Sequence, residues 1–215
     1  MPLTLLLILS WLATPAPLGA QGEARPSTIF DGKTFAGWEG NLGVFRIEDG
    51  AIVGGSLAAK IPRNEFLCTT RTYADFELKM SVKLVGGDRA NAGVQFRTRR
   101  IPNHHEVSGY QADMGTGWWG ALYDESRRNK ILTGPDQERM RSVVRQDGWN
   151  EYVIRANGDR IQLQLNGVQT VDYREADPAV ARDGVICVQI HSGPPSEAWY
   201  KDITIQEGLT PGGRH

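Results

Sequence analysis

Residues 76–84 read FELKMSVKL, with an apolar side chain at every second position. A period of two puts Phe76, Leu78, Met80, Val82 and Leu84 on one face and Glu77, Lys79, Ser81 and Lys83 on the other. That pattern predicts a strand with one dry and one wet face, as antiparallel sheets allow. Outward from it, residues 92–100 (AGVQFRTRR) set Val94 and Phe96 against Gln95 and Arg97. Residues 44–48 and 51–53 flank Asp49-Gly50, and residues 152–156 and 161–165 flank Asn157-Gly158-Asp159. Both are hairpin signals, and Asn166-Gly167 turns the chain again. Residues 184–191 and 199–206 read as closing strands. No segment sustains helical periodicity, although residues 124–131 could make one helical turn or two. The prediction is an all-β chain of about a dozen short strands, folded as a sandwich or barrel.

At 215 residues and 40% hydrophobic content the chain has the material for one core, and residues 27–206 are assigned to a single domain. With 24 basic and 25 acidic residues the net charge is −1, which leaves no electrostatic footprint for nucleic acid. The N-terminus reads as an address. Residues 3–12 form an apolar run of h-region length, residues 13–20 are small and proline-rich, and Ala20 precedes Gln21 at a plausible cleavage point. The run is too short to span a bilayer, and no cysteine follows it to take a lipid. The expectation is a signal peptide over residues 1–20, a secreted or periplasmic product without a membrane span, and a frayed tail at residues 207–215. Export permits a disulfide between Cys68 and Cys187. Free cysteine is also a common small core residue, and nothing local fixes the geometry. Two buried thiols are expected.

The chemistry concentrates in residues 109–130, GYQADMGTGWWGALYDESRRNK. Alternation runs into a glycine-rich turn with Trp118 and Trp119 and closes on Asp124, Glu125, Arg127 and Arg128. Carboxylates, guanidinium groups and exposed aromatic faces suit a sugar, with flat rings under the pyranose and hydrogen bonds to its hydroxyls. Adjacent strand residues face opposite ways, so at most one of the two tryptophans can plug a core without a kink. The wet faces of other strands pair Glu77 with Lys79, Gln95 with Arg97, Gln111 with Asp113, and Gln189 with His191. Four such strands could line one open surface. For Glu77 and Lys79 an ordinary wet face is at least as good an account.

His191 ends an apolar strand before Ser192-Gly193-Pro194-Pro195, a setting that suits either a proton carrier at a pocket rim or a structural histidine. His104-His105-Glu106 has no second ligand group at diagnostic spacing and is assigned to a solvated loop. Metalloprotease, nucleophile-elbow, phosphate-loop and dinucleotide motifs are absent from the sequence. So is the paired-carboxylate strand of retaining β-sandwich glycosidases.

Taken in order, IFDGKTFAGWEG, FRIEDGAIVGG, ADFELKMSVKL, NAGVQFR, GYQADMG, WWGALYDESRR, GWNEYVIRANGDRIQLQLNG, GVICVQIHSG and AWYKDITI resemble the 3-keto-disaccharide hydrolase domain family. The resemblance covers nearly all of the chain after the leader. It implies a concanavalin A-like jelly roll, two antiparallel sheets similar to laminin-G modules. One departure is Gly109, which stands where many members have Glu before the Tyr-Gln pair. The resemblance further implies cleavage of a 3-keto-glycoside, in which the ketone acidifies the hydrogen on carbon 2 and the glycosidic oxygen leaves by β-elimination. Asp113, Tyr123 and His191 match the family's motifs. His191 or Asp113 is cast as base, Arg97 or a divalent cation as enolate stabiliser, and Glu125 or Tyr123 as acid. Gln95, Arg97, Gln111, Trp118, Trp119, Arg127, Arg128 and Gln189 are cast as substrate-binding residues. No cofactor is required by the sequence, though Asp113, Glu125 and His191 could converge on a divalent ion. The rival readings are a non-catalytic carbohydrate-binding, lectin-like module of the same fold and a protein-binding adhesion module with an exposed apolar patch.

Overall fold

The structure is a computed structural model that describes residues 25–209. The expected leader at residues 1–20 and residues 210–215 of the expected tail lie outside the described residues. Strands are numbered β1 to β15 along the chain. One sheet holds β1 (Ser27–Thr28), β3 (Phe45–Glu48), β4 (Ala51–Ser56), β6 (Phe76–Val85), β11 (Asn150–Asn157), β12 (Arg160–Leu165), β13 (Val168–Arg174) and β15 (Ser196–Glu207). The other holds β2 (Trp38–Glu39), β5 (Glu65–Thr69), β7 (Asn91–Arg100), β8 (Val107–Gly115), β9 (Leu122–Glu125), β10 (Lys130–Thr133) and β14 (Val185–Ile190). All pairings are antiparallel. The result is the two-sheet jelly-roll sandwich that the resemblance implied.

The first sheet runs β13-β12-β11-β6-β15-β4-β3, with β1 on the second half of β15. At its centre β6 turns Phe76, Leu78, Met80, Val82 and Leu84 into the core, the face that the period of two assigned to them. Glu77 and Lys79 lie on that sheet's outer face, ion-paired with each other at 3.0 Å, with Arg155 also on Glu77. They are therefore on a different sheet from the other polar pairs. The Asp49-Gly50 turn has φ of 49° and 72°, the left-handed pair that a tight hairpin requires and that aspartate and glycine tolerate.

The second sheet runs β10-β9-β8-β7-β14-β5-β2 and carries the polar face of interest. Its register aligns one row across five neighbouring strands: Cys68, Cys187, Gln95, Gln111 and Tyr123 are successive cross-strand partners. Cys68 and Cys187 are joined in a disulfide, which corrects the expectation of two thiols. The pairing follows from register: two residues 119 apart in sequence become direct neighbours only once β5 lies against β14. The bridge is fully buried with Phe66 and Val107, on the outer face of this sheet rather than between the sheets.

Residues 124–131 are not helical. They form the end of β9, a turn with left-handed Ser126 and Asn129, and the start of β10. The helix found among the described residues is α1 (Gln137–Val143), capped by the Asp136 carboxylate, which accepts from the backbone N–H of Glu138 at 2.8 Å.

Candidate functional site

The outer face of β7, β8, β9 and β14 forms the floor of a cleft of about 270 Å³, lined by Arg89, Asn91, Gln111, Asp113, Trp118, Tyr123, Glu125, His191 and Ser192. Strand alternation sets most of this list. Gln111 and Asp113 sit two apart on β8, Tyr123 and Glu125 two apart on β9, and the two strands are neighbours. His191 follows β14, where its backbone N–H donates to the Asn91 carbonyl at 3.1 Å. From behind, two tyrosines of the first sheet cross the core to hold the floor's backbone. The Tyr152 hydroxyl donates to the Asp113 carbonyl at 2.5 Å and the Tyr200 hydroxyl to the Gln189 carbonyl at 2.6 Å. These two bonds tie the backbone of the floor to the opposite sheet.

The glycine-rich turn after β8 settles the two tryptophans. Trp119 is 7% exposed and belongs to the core, whereas Trp118 is 40% exposed and meets the Tyr123 ring edge-on at 6.2 Å on the cleft rim. Trp119 is thus corrected from a ligand contact to a core residue.

Three arginines expected at the site are elsewhere. Arg97 shares a face with Gln95 only if β7 is regular, and β7 bulges between Phe96 and Arg99, with Arg97 at φ 45°. The bulge re-aims the side chain. Its guanidinium is buried against the Ala74 and Gly158 carbonyls and the Asp75 carboxylate at 2.7–2.9 Å, so it is not available to an enolate. Arg127 and Arg128 both pair with the buried Asp124, which alternates away from the cleft, and Arg128 also binds Glu175 at 2.5 Å. The arginine that lines the cleft is Arg89, on the β6–β7 loop. Neither Arg89 nor Asn91 carries a sequence signal, because both owe their place to a loop and a strand end.

Residues 104–106 lie in a loop between β7 and β8, with His104 exposed and His105 and Glu106 partly buried. Glu106 accepts from the Asn64 amide at 3.0 Å, and Asn64 in turn accepts from the Ser192 N–H at 2.9 Å. This tie reaches His191, whose Nδ1 lies 2.7 Å from the Ser192 carbonyl oxygen. A carbonyl only accepts, so Nδ1 carries the hydrogen and the neutral ring keeps its lone pair on Nε2. Among the described residues no three His, Cys, Asp or Glu side chains come together as a metal site. Asp113, Glu125 and His191 share the cleft without converging on one point.

Of the residues that line the cleft, Asp113 has a buried oxygen, Oδ2, with no hydrogen-bond partner, and beneath it Gln95 Oε1 is likewise unpaired. Burial pushes the Asp113 carboxyl up to about 8; the Gln111 amide opposes the shift and the Glu125 charge adds to it. Burial likewise raises Glu125 to about 7, helped by the nearby Glu106 charge and opposed by the Ser126 N–H and the Gln189 amide. Two carboxyls that hold protons near neutrality on one cleft floor can act as acids or hydrogen-bond donors there.

These shifts have a consequence for stability. The native state keeps both protons at pH values where the unfolded chain has lost them. The stabilisation is complete below about pH 4 and is lost as pH rises through about 7 and about 8. Urea midpoints are expected to fall between about pH 5 and about pH 9. Asp113→Asn, neutral throughout, should remove a part of that fall on the order of a few kcal/mol. Identical slopes for wild type and Asp113→Asn would show that Asp113 ionises as it does in solvent.

Among solved structures, a Parabacteroides distasonis ATCC 8503 protein provisionally assigned as a glycosyl hydrolase is 18% identical, with 86% of this chain and 94% of that one covered at a TM-score of 0.65. The carbohydrate-binding module CBM66 from Bacillus subtilis is 14% identical, covering 80% and 96%, at 0.62. A Bacillus subtilis protein of unknown function with a galectin-like fold is 9% identical, covering 79% and 88%, at 0.56. At such identities the likeness establishes the sandwich alone. No curated protein sequence matches the chain. Residues 25–206 match the 3-keto-alpha-glucoside-1,2-lyase-like domain, and the chain belongs to that carbohydrate-related family.

Proposed function

We propose that the protein cleaves 3-keto-glycosides by elimination across carbons 1 and 2 of the keto-sugar. The observation that carries this reading is the cleft floor itself, where proton-holding Asp113 and Glu125 accompany His191, with its fixed Nε2 lone pair, and the aromatic rim at Trp118.

The ketone at carbon 3 acidifies the hydrogen on carbon 2. His191 Nε2 takes that proton, and the C–H electron pair moves into the C2–C3 bond while the ketone oxygen becomes an enolate. Asp113, protonated at neutral pH and lying at the bottom of the cleft, donates a hydrogen bond to that oxygen, the role of an oxyanion donor. Arg89 supplies positive charge from the same cleft. Collapse of the enolate restores the ketone, forms the C1–C2 double bond and breaks the C1–O bond. Glu125 or Tyr123, on the strand next to Trp118, gives a proton to the departing oxygen. Water adding across the new double bond then gives net hydrolysis.

Incubation of the protein with 3-keto-glycosides and with the parent glycosides tests the reading: cleavage of the keto form alone is expected. Saturable binding of both without turnover would support a carbohydrate-binding module instead, a second reading favoured by the fold shared with CBM66. The protein is also read as exported. The apolar run at residues 3–12 supports this, as does the Cys68–Cys187 disulfide, a bond that persists in oxidising compartments. N-terminal sequencing of protein secreted from a bacterial host should start near Gln21, and an intact Met1 in the cytoplasmic fraction would overturn export.

A further inference from the structure

The cleft floor contains an unbroken line of amides. Gln95 Nε2 donates to Gln111 Oε1 at 2.5 Å, and Gln111 Nε2 donates to Asp113 Oδ1 at 2.5 Å. All three side chains are at least 97% buried. The line has two open ends, since Gln95 Oε1 and Asp113 Oδ2 have no partner. It also has a seat. Gly93 lies between Gln189 and Asp113 in the cross-strand register, and a Cβ there would stand 2.6–3.0 Å from Cδ, Cγ and Nε2 of Gln111. The Gln111 side chain thus occupies the space above Gly93 that any other residue would fill. Gly93 has no left-handed φ, so its lack of a side chain matters for space rather than for backbone conformation.

We propose that Gln95 and Gln111 are positioning residues, a two-amide relay seated over Gly93 that holds Asp113 by Oδ1 and presents Oδ2 to the ligand. The role of each atom follows from satisfied valence. Gln111 Oε1 is occupied by the Gln95 amide, so its NH₂ end faces Asp113. Oδ1 is occupied by that NH₂, so the carboxyl proton sits on Oδ2, the atom left without a protein partner. Neither glutamine need touch the substrate. The inference rests on the reading of Asp113 as a group that acts on the ligand, but its test does not require turnover.

The titratable and charged groups around Asp113 are Glu125 and Tyr123 on β9, His191 after β14 and Arg89 on the β6–β7 loop, with the Tyr152 hydroxyl behind. All are retained in the variants. Carbon-13 NMR of the aspartate carboxyls, with Asp113→Asn to identify the resonance, reads the midpoint of Asp113 directly. Removal of a donor to the ionised carboxylate should raise that midpoint. Gln111→Met should raise it by about one unit, and Gln95→Met in the same direction by less. Gly93→Ala, which keeps every polar group and unseats Gln111, should raise it as well, and a circular-dichroism melt confirms that each variant is folded. Midpoints at the wild-type value in folded Gln111→Met and Gln95→Met, with loss only of ligand affinity, would overturn the relay and make the glutamines substrate contacts. Shifted midpoints in a protein that cleaves no 3-keto-glycoside would sink the proposed reaction and leave the relay standing.

Discussion

Replacement of His191 with glutamine is expected to slow cleavage of a 3-keto-glycoside by roughly 10²–10⁴-fold, the usual contribution of a positioned proton-transfer group. The effect should fall on kcat, because the lone pair on Nε2 matters to the moving proton and little to the bound sugar. Asp113→Leu removes the donor to the enolate oxygen and should cost about 10²–10³-fold. Both variants should keep the far-UV spectrum of the folded sandwich, since both side chains face the cleft and the core behind them is unchanged. Trp118→Ala is the contrasting case. A ring on the rim holds substrate and transition state alike, so its loss should raise KM more than it lowers kcat. If His191→Gln and Asp113→Leu both turn over the keto-sugar at the wild-type rate, the floor is structural and the binding-module reading takes over.

How much of this was legible in the sequence depends on which residues are asked about. The core face of β6 was readable because a period of two survives folding unchanged. The polar floor was readable for the same reason: Gln111 with Asp113 and Tyr123 with Glu125 keep strict alternation on regular strands. The opposed fates of Trp118 and Trp119 were decided by the turn after β8, in which both sit, and not by strand alternation. Arg97 defeated the same rule because a bulge, invisible in FRTRR, inserts one residue and turns its side chain to the sandwich edge. Arg127 and Arg128 defeated it because Asp124, their partner, is the inward residue between two outward ones. Arg89, Asn91 and the Glu106–Asn64–Ser192 tie depend on which loops meet at one end of the sheet. No local pattern encodes that meeting. α1 was signalled faintly by Asp136 before QERMRSV, but a helix of 7 residues is too short for its periodicity to stand out.

Loss of the Cys68–Cys187 bridge is expected to have the largest effect on stability. In the chain-entropy account, a link between residues 119 apart that closes so long a loop contributes ~4–5 kcal/mol by restricting the unfolded chain. For a domain whose whole stability is about 5–15 kcal/mol, that is a third or more of the total. Thiol titration of the denatured protein without reductant should find no free thiol. Cys68→Ala with Cys187→Ala, or full reduction, should lower the urea midpoint sharply and bring the melting temperature down by about 10–20 °C. The expected damage to the cleft is smaller than the damage to stability. Cys187 neighbours Gln95 in register, and β14 carries Gln189 and leads into His191, so the bridge fixes the strand on which two site residues depend. Yet β14 also pairs with β7 along its length, and the Tyr200 hydroxyl still holds the Gln189 carbonyl from the far sheet. Below its lowered melting temperature the reduced protein should therefore retain most of its activity. An unchanged urea midpoint after complete reduction, verified by two titratable thiols, would mean that the register of β5 against β14 alone holds this edge of the sheet.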